Sequence, residues 1–381
     1  MAQKLILDKP KSILLKVVVA DDYFRKVDSG DKEQPKSEDL AHYLATVRYD
    51  NESLVGLIGH QQPDIARKVS QCYEQYKLPA LTTVIQSQSV KGRGTVQSLL
   101  PSTEEMAKKI IKAMGNAPEA TSREKIKVFY DKNDLSSKEL KDKICAASKE
   151  SRYHGCSGYD ITNDRISSDL INKRIIHDDE WFLAINPFDT SEENTITKGR
   201  IVDIINAYGN NRRNGKTEGR LYLGHNFIDE ELVNAMNNTV MAAGSVALND
   251  QYSRNADIWR FSPWDWRSRN AYESSSFNEY HKRYGSKYKD SLNWYTVTAF
   301  NSMLFFYEAL DRFDNASSIS PNDIRENLVG YMNQDGTYDL RGTIPSSIRI
   351  STKNKSLSIG GDGNMVCLVN MTNPKQKSKC D

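Results

Sequence analysis

The sequence predicts an α/β protein of two doubly wound lobes built on mainly parallel sheets. Three observations predict it. Short β-branched or aromatic runs alternate with segments of helical period, and strands separated by helices of about 10–15 residues mark βαβ units. The alternation runs from Leu14 to the helix that starts near Ser102, then begins afresh at Lys125. The 381 residues also exceed one average domain of about 150, leaving room for two lobes.

The first series opens with Leu14–Ala20, an apolar run interrupted only by Lys16 and read as a buried strand that ends in Asp21 and Asp22. A polar loop over 27–38 with Pro35 separates it from a helix over Glu38–Tyr49. Leu54–Gly59 is the next strand and Asp64–Tyr76 the next helix, with Ile65, Val69 and Cys72 at helical spacing. Leu78–Val84 is a third strand, and a Gly-rich loop at Lys91–Gly94 follows. Ser102-Thr-Glu-Glu105 has the pattern of a capping box and starts a helix. The second series reads strand Lys125–Tyr130, helix Ser137–Lys149, short strand Tyr159–Ile161 and helix Ser167–Ile176. Strand Glu180–Asn186, helix Gly199–Tyr208 and strand Gly219–Gly224 complete it.

Four of the five tryptophans (Trp259, Trp264, Trp266 and Trp294) fall within 251–295. Asn293–Asp311 is a helix apolar around most of its surface, as expected of one buried between layers. Residues 335–371 read as β-rich with a turn at Gly360–Gly363, and the last residues as a frayed tail.

Composition excludes several classes. The 19 Tyr, 11 Phe and 5 Trp are too many for wholesale disorder. No run of about 18 apolar residues exists, so no transmembrane helix is expected. A net charge of +2 argues against a dedicated nucleic-acid protein. Five scattered cysteines without a CxxC pair indicate neither a disulfide framework nor a zinc site. The start MAQKLILDKPKS lacks the core and cleavage site of a secretory signal. The expectation is a cytoplasmic protein, or a periplasmic or extracytoplasmic one whose leader lies outside this chain. Sequons such as Asn51-Glu-Ser carry little weight in an Asn-rich sequence.

The chemical motifs are mostly decoys. Gly209 to Thr217 imitates a phosphate-binding loop, but five residues stand between the first glycine and Gly-Lys-Thr where four are needed. It also follows a helix and precedes a strand, the reverse of the required order. The six histidines show no metal-ligand spacing, and Gly155-Cys-Ser-Gly158 is one residue short of a nucleophile elbow. Trp259–Arg269 interleaves rings with arginines, which suits base stacking. With the net charge near zero, packing or cleft lining is the favoured reading. No metal or cofactor is expected.

The order of segments resembles that of the type I periplasmic binding proteins, the branched-chain amino-acid-binding group of ABC transporter solute receptors. Leu15–Asp22 resembles the second strand of the family's first lobe, Val55–His60 its "viGp" strand and turn, and Leu78–Thr82 its "vPlis" strand. Val96–Ala107 is similar to the following segment, and Pro263, Trp264, Phe277, Tyr280, Tyr284, Gly285, Trp294 and Glu308–Leu310 to the return segment. The family's first strand has no counterpart, since Met1–Leu7 looks like the end of the helix that follows it.

The resemblance implies three hinge crossovers near residues 121, 246 and 329. Lobe 1 then takes 1–121 and 247–328, lobe 2 takes 122–246 and 329–371, and 372–381 is the tail. It implies a small polar, amino-acid-like ligand in an inter-lobe cleft, and an ABC permease or a fused signalling module as partner. Carried over position by position, the lobe-1 contacts are His60, Gln61 and Gln62, then Val84, Ile85, Gln86 and Ser87. The lobe-2 contacts are Asp134, Leu135, His225 and Asn226. Two alternatives stay open: a ligandless sensor or protein-interaction module on the same fold, and an α/β enzyme using Asp21, Asp22 and His225.

Overall fold

A computed structural model describes residues 37–46, 48–49, 52–60, 63–83, 94–115, 125–151, 153, 155–162, 179–185, 192–213, 219–224, 258–262, 294–311, 320–334, 336–338, 348–351, 356–359, 367–370 and 379–380. In chain order these form α1 (Ser37–Thr46), β1 (Arg48–Tyr49), β2 (Glu52–Ser53), β3 (Leu57–Ile58), α2 (Pro63–Gln75), β4 (Ala80–Thr82), β5 (Val96–Ser98) and α3 (Thr103–Gly115). Next come β6 (Ile126–Tyr130), α4 (Leu135–Ser148), β7 (Cys156–Asp160), β8 (Glu180–Ala184), α5 (Glu192–Arg213), β9 (Leu221–Leu223) and β10 (Ile258–Ser262). The last are α6 (Trp294–Asp311), α7 (Pro321–Asn333), β11 (Gly336–Tyr338), β12 (Ile348–Ser351), β13 (Ser356–Ile359), β14 (Cys367–Asn370) and β15 (Lys379–Cys380). The expected strand at 14–20, the helix at 167–176 and the turn at 360–363 lie outside the described residues.

The chain divides into two compact units, 1–102 with 269–365 and 103–268 with 366–381. The crossovers expected near 121, 246 and 329 compare with divisions after 102, 268 and 365.

In unit 1, β3, β4 and β5 form a parallel sheet whose alternation decides what covers each face. Ala80 and Val96 join Ala41, Ala45, Val69, Tyr73 and Leu78 in a core made with α1 and α2. The neighbour Leu81 faces the other way, into Leu99, Phe305, Phe306, Leu310, Leu328 and Met332 with α6 and α7. A sheet buried on both faces by helices is the doubly wound arrangement. α7 starts on a full capping box, with the Ser320 hydroxyl and the Asp323 carboxylate each bonded to the other's backbone N–H and Pro321 in the first turn. From α7 the buried Arg325 reaches across the unit. Its Nε donates to Leu54 O at 2.8 Å, and one terminal nitrogen donates to Ala45 O at 3.2 Å and Tyr76 O at 3.4 Å. Ala45 lies in the last turn of α1 and Tyr76 just past α2, so one cation serves two helix C-termini. β11, β12 and β13 form an antiparallel meander, in line with the β-rich reading.

Unit 2 holds a seven-stranded sheet in the order β15-β14-β10-β9-β8-β6-β7. The five strands β7, β6, β8, β9 and β10 are parallel, while β14 and β15 add on antiparallel. One face buries Phe129, Trp181, Leu183, Leu221, Leu223 and Ile258 under Ile201, Ile204, Ile205 and Tyr208 of α5. At the N-terminal edge Lys127 and Asp179 form a buried ion pair at 2.9 Å. The Glu180 carboxylate there accepts from Arg220 N at 2.7 Å. Gly219 is required beside it, because a Cβ would stand 1.9 Å from the Asp179 carbonyl oxygen.

Trp259–Phe261 belongs to β10, a strand inside the sheet, with Trp259 and Phe261 buried, so this part of the aromatic–arginine stretch packs, in line with the favoured reading. Three readings are corrected. The residues read as a frayed tail include β15, which pairs with β14. Helix α1 ends before a short antiparallel hairpin, β1–β2, rather than running to Tyr49. Disulfides are present. Cys145 near the end of α4 is bonded to Cys156 at the start of β7, with Cα atoms 5.2 Å apart. The antiparallel return of a helix to the next strand's start brings the two together, which their spacing does not reveal. Cys367 is also disulfide-bonded, and Cys380 stands opposite it in the β14–β15 register.

Candidate ligand-binding edges

In open α/β sheets ligands meet the C-terminal ends of the strands, above all where strand order reverses. In unit 1 that edge is the end of β3, β4 and β5. Gly59 follows β3 with φ at +152°, a conformation that only glycine adopts without strain. Its N–H donates to Leu81 O at 3.0 Å and so holds the turn against β4. His60 follows, buried, with Nε2 2.8 Å from the Tyr73 hydroxyl and the rings stacked at 5.8 Å. The His60 carbonyl accepts from Thr83 Oγ1 at 3.4 Å. Thr82 Oγ1 donates to Gln97 O at 3.3 Å, and Ser98 Oγ to Thr82 O at 3.2 Å. Small hydroxyl side chains thus knit the three strand ends together.

In unit 2 the strand order reverses at β6, between β7 and β8. Ser137 in the first turn of α4 joins the two strand ends there. Its hydroxyl donates to Ala184 O and accepts from Asp131 N at 2.8 Å. Asp131 Oδ1 accepts from Asn133 N at 2.8 Å, and Asp134 caps α4 by accepting from Ser136 N at 2.9 Å. At the end of β7 Asp160 Oδ1 accepts from Thr162 N at 3.0 Å and Thr162 Oγ1 at 2.7 Å, with Lys132 Nζ 3.3 Å from Oδ2. Burial pushes the Asp160 carboxyl up, but the bonds from Thr162 and Lys132 outweigh it and hold it below its ordinary range.

Of the residues expected at the site, the structure describes His60, Asp134 and Leu135. His60 turns its imidazole into unit 1, Asp134 is a helix cap, and Leu135 is an exposed first helical residue. Gln61, Gln62, Val84, Ile85, Gln86, Ser87, His225 and Asn226, with Asp21 and Asp22, lie outside the described residues. Gly224 N donates to Leu183 O at 3.0 Å, so β9 ends at this same edge. Sequence reasoning missed Thr82, Thr83, Ser98, Ser137 and Asp160. The available signal was a hydroxyl or carboxylate at the last position of a strand or just after it. Among the described residues no group of three or more His, Cys, Asp or Glu side chains is placed to hold a metal.

No protein-family model and no curated protein matches the chain. Solved structures do. An ABC transporter substrate-binding protein from Desulfitobacterium hafniense in complex with Leu matches with a TM-score of 0.60 at 15% identity, over 91% of this chain and 84% of that one. The leucine-binding protein LivK of Thermotoga maritima matches with a TM-score of 0.62 at 13% identity, over 91% and 84%. A solute-binding protein of an R. palustris ABC transporter, in complex with 4-hydroxybenzoate, matches with a TM-score of 0.58 at 11% identity, over 88% and 78%.

The fold is that of the type I periplasmic binding proteins. This identifies the five parallel strands of unit 2 and the three of unit 1 as parts of the two sheets of a type I periplasmic binding fold. The edges described above are the C-terminal ends of those strands, where open α/β sheets take ligands as a general rule.

Proposed function

We propose that the protein is a small-solute receptor that binds a polar, amino-acid-like ligand and closes on it by a hinge, making and breaking no bond. The observation that carries this reading is the fold match over 91% of the chain to substrate-binding proteins. The polar strand ends of both units support it, since hydroxyls and carboxylates there suit the donors and acceptors of a small solute. The proposed contacts are the turns at 60–62 and 84–87 in unit 1 and those at 134–135 and 225–226 in unit 2. The docking partner is an ABC permease or a fused signalling module. The disulfides support an extracytoplasmic place of action, where such bonds form and persist.

A thermal-shift screen tests the proposal. The neighbours' ligands, leucine and 4-hydroxybenzoate, each carry a carboxylate on an apolar body. The panel therefore holds L-leucine, L-isoleucine, benzoate, 4-hydroxybenzoate and the remaining amino acids. A ligand at about 100 times its Kd stabilises by about 2.7 kcal/mol, a shift of several degrees. A saturable shift for one chemical class supports a receptor. A cooperative melt that no compound moves rejects it in favour of the ligandless module.

A further inference from the structure

We infer that His60 and Tyr73 form a buried lock that positions the ligand-facing turns of unit 1. The functional consequence rests on the receptor reading above, but the lock itself does not. His60 has the side-chain chemistry expected of a ligand contact and stands at the expected place, one residue past Gly59 at the end of β3. Yet it is 3% exposed, and its Nε2 is already 2.8 Å from the Tyr73 hydroxyl of α2, which is 1% exposed. The two rings stack with only 10° between their planes, so the pair is held by shape as well as by the hydrogen bond.

The lock has reach because of what His60 holds on its backbone side. Its carbonyl takes the Thr83 hydroxyl from the turn after β4, while the preceding Gly59 N–H bonds Leu81 within β4. The His60 side chain therefore ties the β3 turn to α2 while the backbone of Gly59 and His60 ties it to β4 and the turn after it. The two turns lead directly into 61–62 and 84–87, the segments proposed to meet the ligand. A ligand contact and this lock make opposite demands on the imidazole, because a ring buried and stacked against Tyr73 does not reach a solute at the strand ends without breaking the pair. His60 thus acts as a positioning residue, serving the ligand through the turn it anchors.

The test is Tyr73→Phe in the full chain, which removes one hydroxyl and keeps the stacked ring. Amide hydrogen exchange at 57–60 and 80–83 is expected to rise about tenfold, the scale of one lost buried hydrogen bond. Exchange at 126–130 of β6 in unit 2 is expected to stay at the wild-type rate. No local rise, or an equal rise in both units, overturns the lock. Should the variant fail to fold, long-range proton–nitrogen NMR of the wild type decides instead. A slowly exchanging proton shared between His60 Nε2 and the Tyr73 hydroxyl, in either tautomer, supports the lock, and rapid exchange of that proton with water overturns it.

The binding arm uses the screen's own compounds as probes. Whichever one shifts the wild type is expected to bind Tyr73→Phe about tenfold more weakly, and equal affinity overturns the positioning role. If none shifts the wild type, the receptor reading fails while the exchange and NMR results still decide the lock.

Discussion

Arg325 is the clearest place to test how unit 1 is held together. Its guanidinium satisfies Leu54 O at 2.8 Å and Ala45 O at 3.2 Å, with Tyr76 O at 3.4 Å a longer third contact. A hydrogen bond involving a charged group contributes about 1.5–3 kcal/mol, so the two shorter ones together suggest about 3–6 kcal/mol. The longer contact adds little by geometry, but its carbonyl lies just past α2 as Ala45 O lies in the last turn of α1. A cation at a helix C-terminus contributes about 0.3–1 kcal/mol per helix. Arg325→Ala also takes the donor from the buried contact at Ala45 O and the part-buried one at Leu54 O, and we expect a loss of about 4 kcal/mol or more. Arg325→Lys keeps the charge but not the fork, reaches fewer of the three carbonyls, and should recover about half. All four residues belong to unit 1, so hydrogen exchange in α1 and α2 should rise steeply while β6 and β8 keep their protection. Urea melts of both variants with that exchange measurement make the assay. A loss below about 1 kcal/mol for Arg325→Ala, or a lysine variant as stable as wild type, refutes the bridging role.

Three further outcomes follow from the same contacts. Lys127→Met strands the buried Asp179 carboxylate and should destabilise by about 3–5 kcal/mol, while Lys127→Met with Asp179→Leu should recover most of it in denaturant melts. Breaking the Cys145–Cys156 bridge by Cys145→Ser with Cys156→Ser opens a short loop and should cost about 3 kcal/mol, and mass analysis of the oxidised wild type should show the peptides joined. Asp160 titrates below its ordinary value of 3.8, so the stability it contributes is complete at neutral pH and is lost as the pH falls through that lowered value. Asp160→Asn should therefore flatten the acid limb of a stability–pH profile, and an unchanged limb would show that its bonds contribute nothing.

What could be read from the sequence followed from local periodicity, and what escaped it depends on distant partners. Strands β6, β8 and β9 are apolar enough to announce themselves, as are helices α2 and α6. β5 does not, because Val96-Gln-Ser98 is too polar to read as a buried strand. Gln97 is buried there with its amide 3.2 Å from Asn333 Oδ1 and 3.5 Å from Met332 O, more than 230 residues along the chain. β10 hid for a related reason. In a central strand both faces are covered, so Ile258 stands beside Trp259 and Ser262 is buried with them, and the five residues of the strand do not alternate cleanly between apolar and polar. The start of α7 is legible in the sequence, since Ser320-Pro-Asn-Asp323 combines a capping box with an early proline.

The candidate site was legible only as far as the strand ends themselves. The resemblance located the β3 turn at His60, and the structure does put that residue at the C-terminal edge of the sheet. Which way a side chain turns there depends on what waits behind it, and Tyr73 lies thirteen residues further on, on a different element. A histidine after a strand reads as a ligand contact when nothing buried can accept or donate to it. Given a tyrosine hydroxyl in the adjacent core, the same histidine becomes part of the scaffold. The same logic applies to Asp134, whose oxygen caps α4, and to Ser137, whose hydroxyl joins β6 and β8 at the reversal of strand order. In this protein several polar groups at the C-terminal strand edges are committed to one another. On the receptor reading proposed above, that arrangement fixes the strand ends before any solute arrives and leaves recognition to residues beyond them.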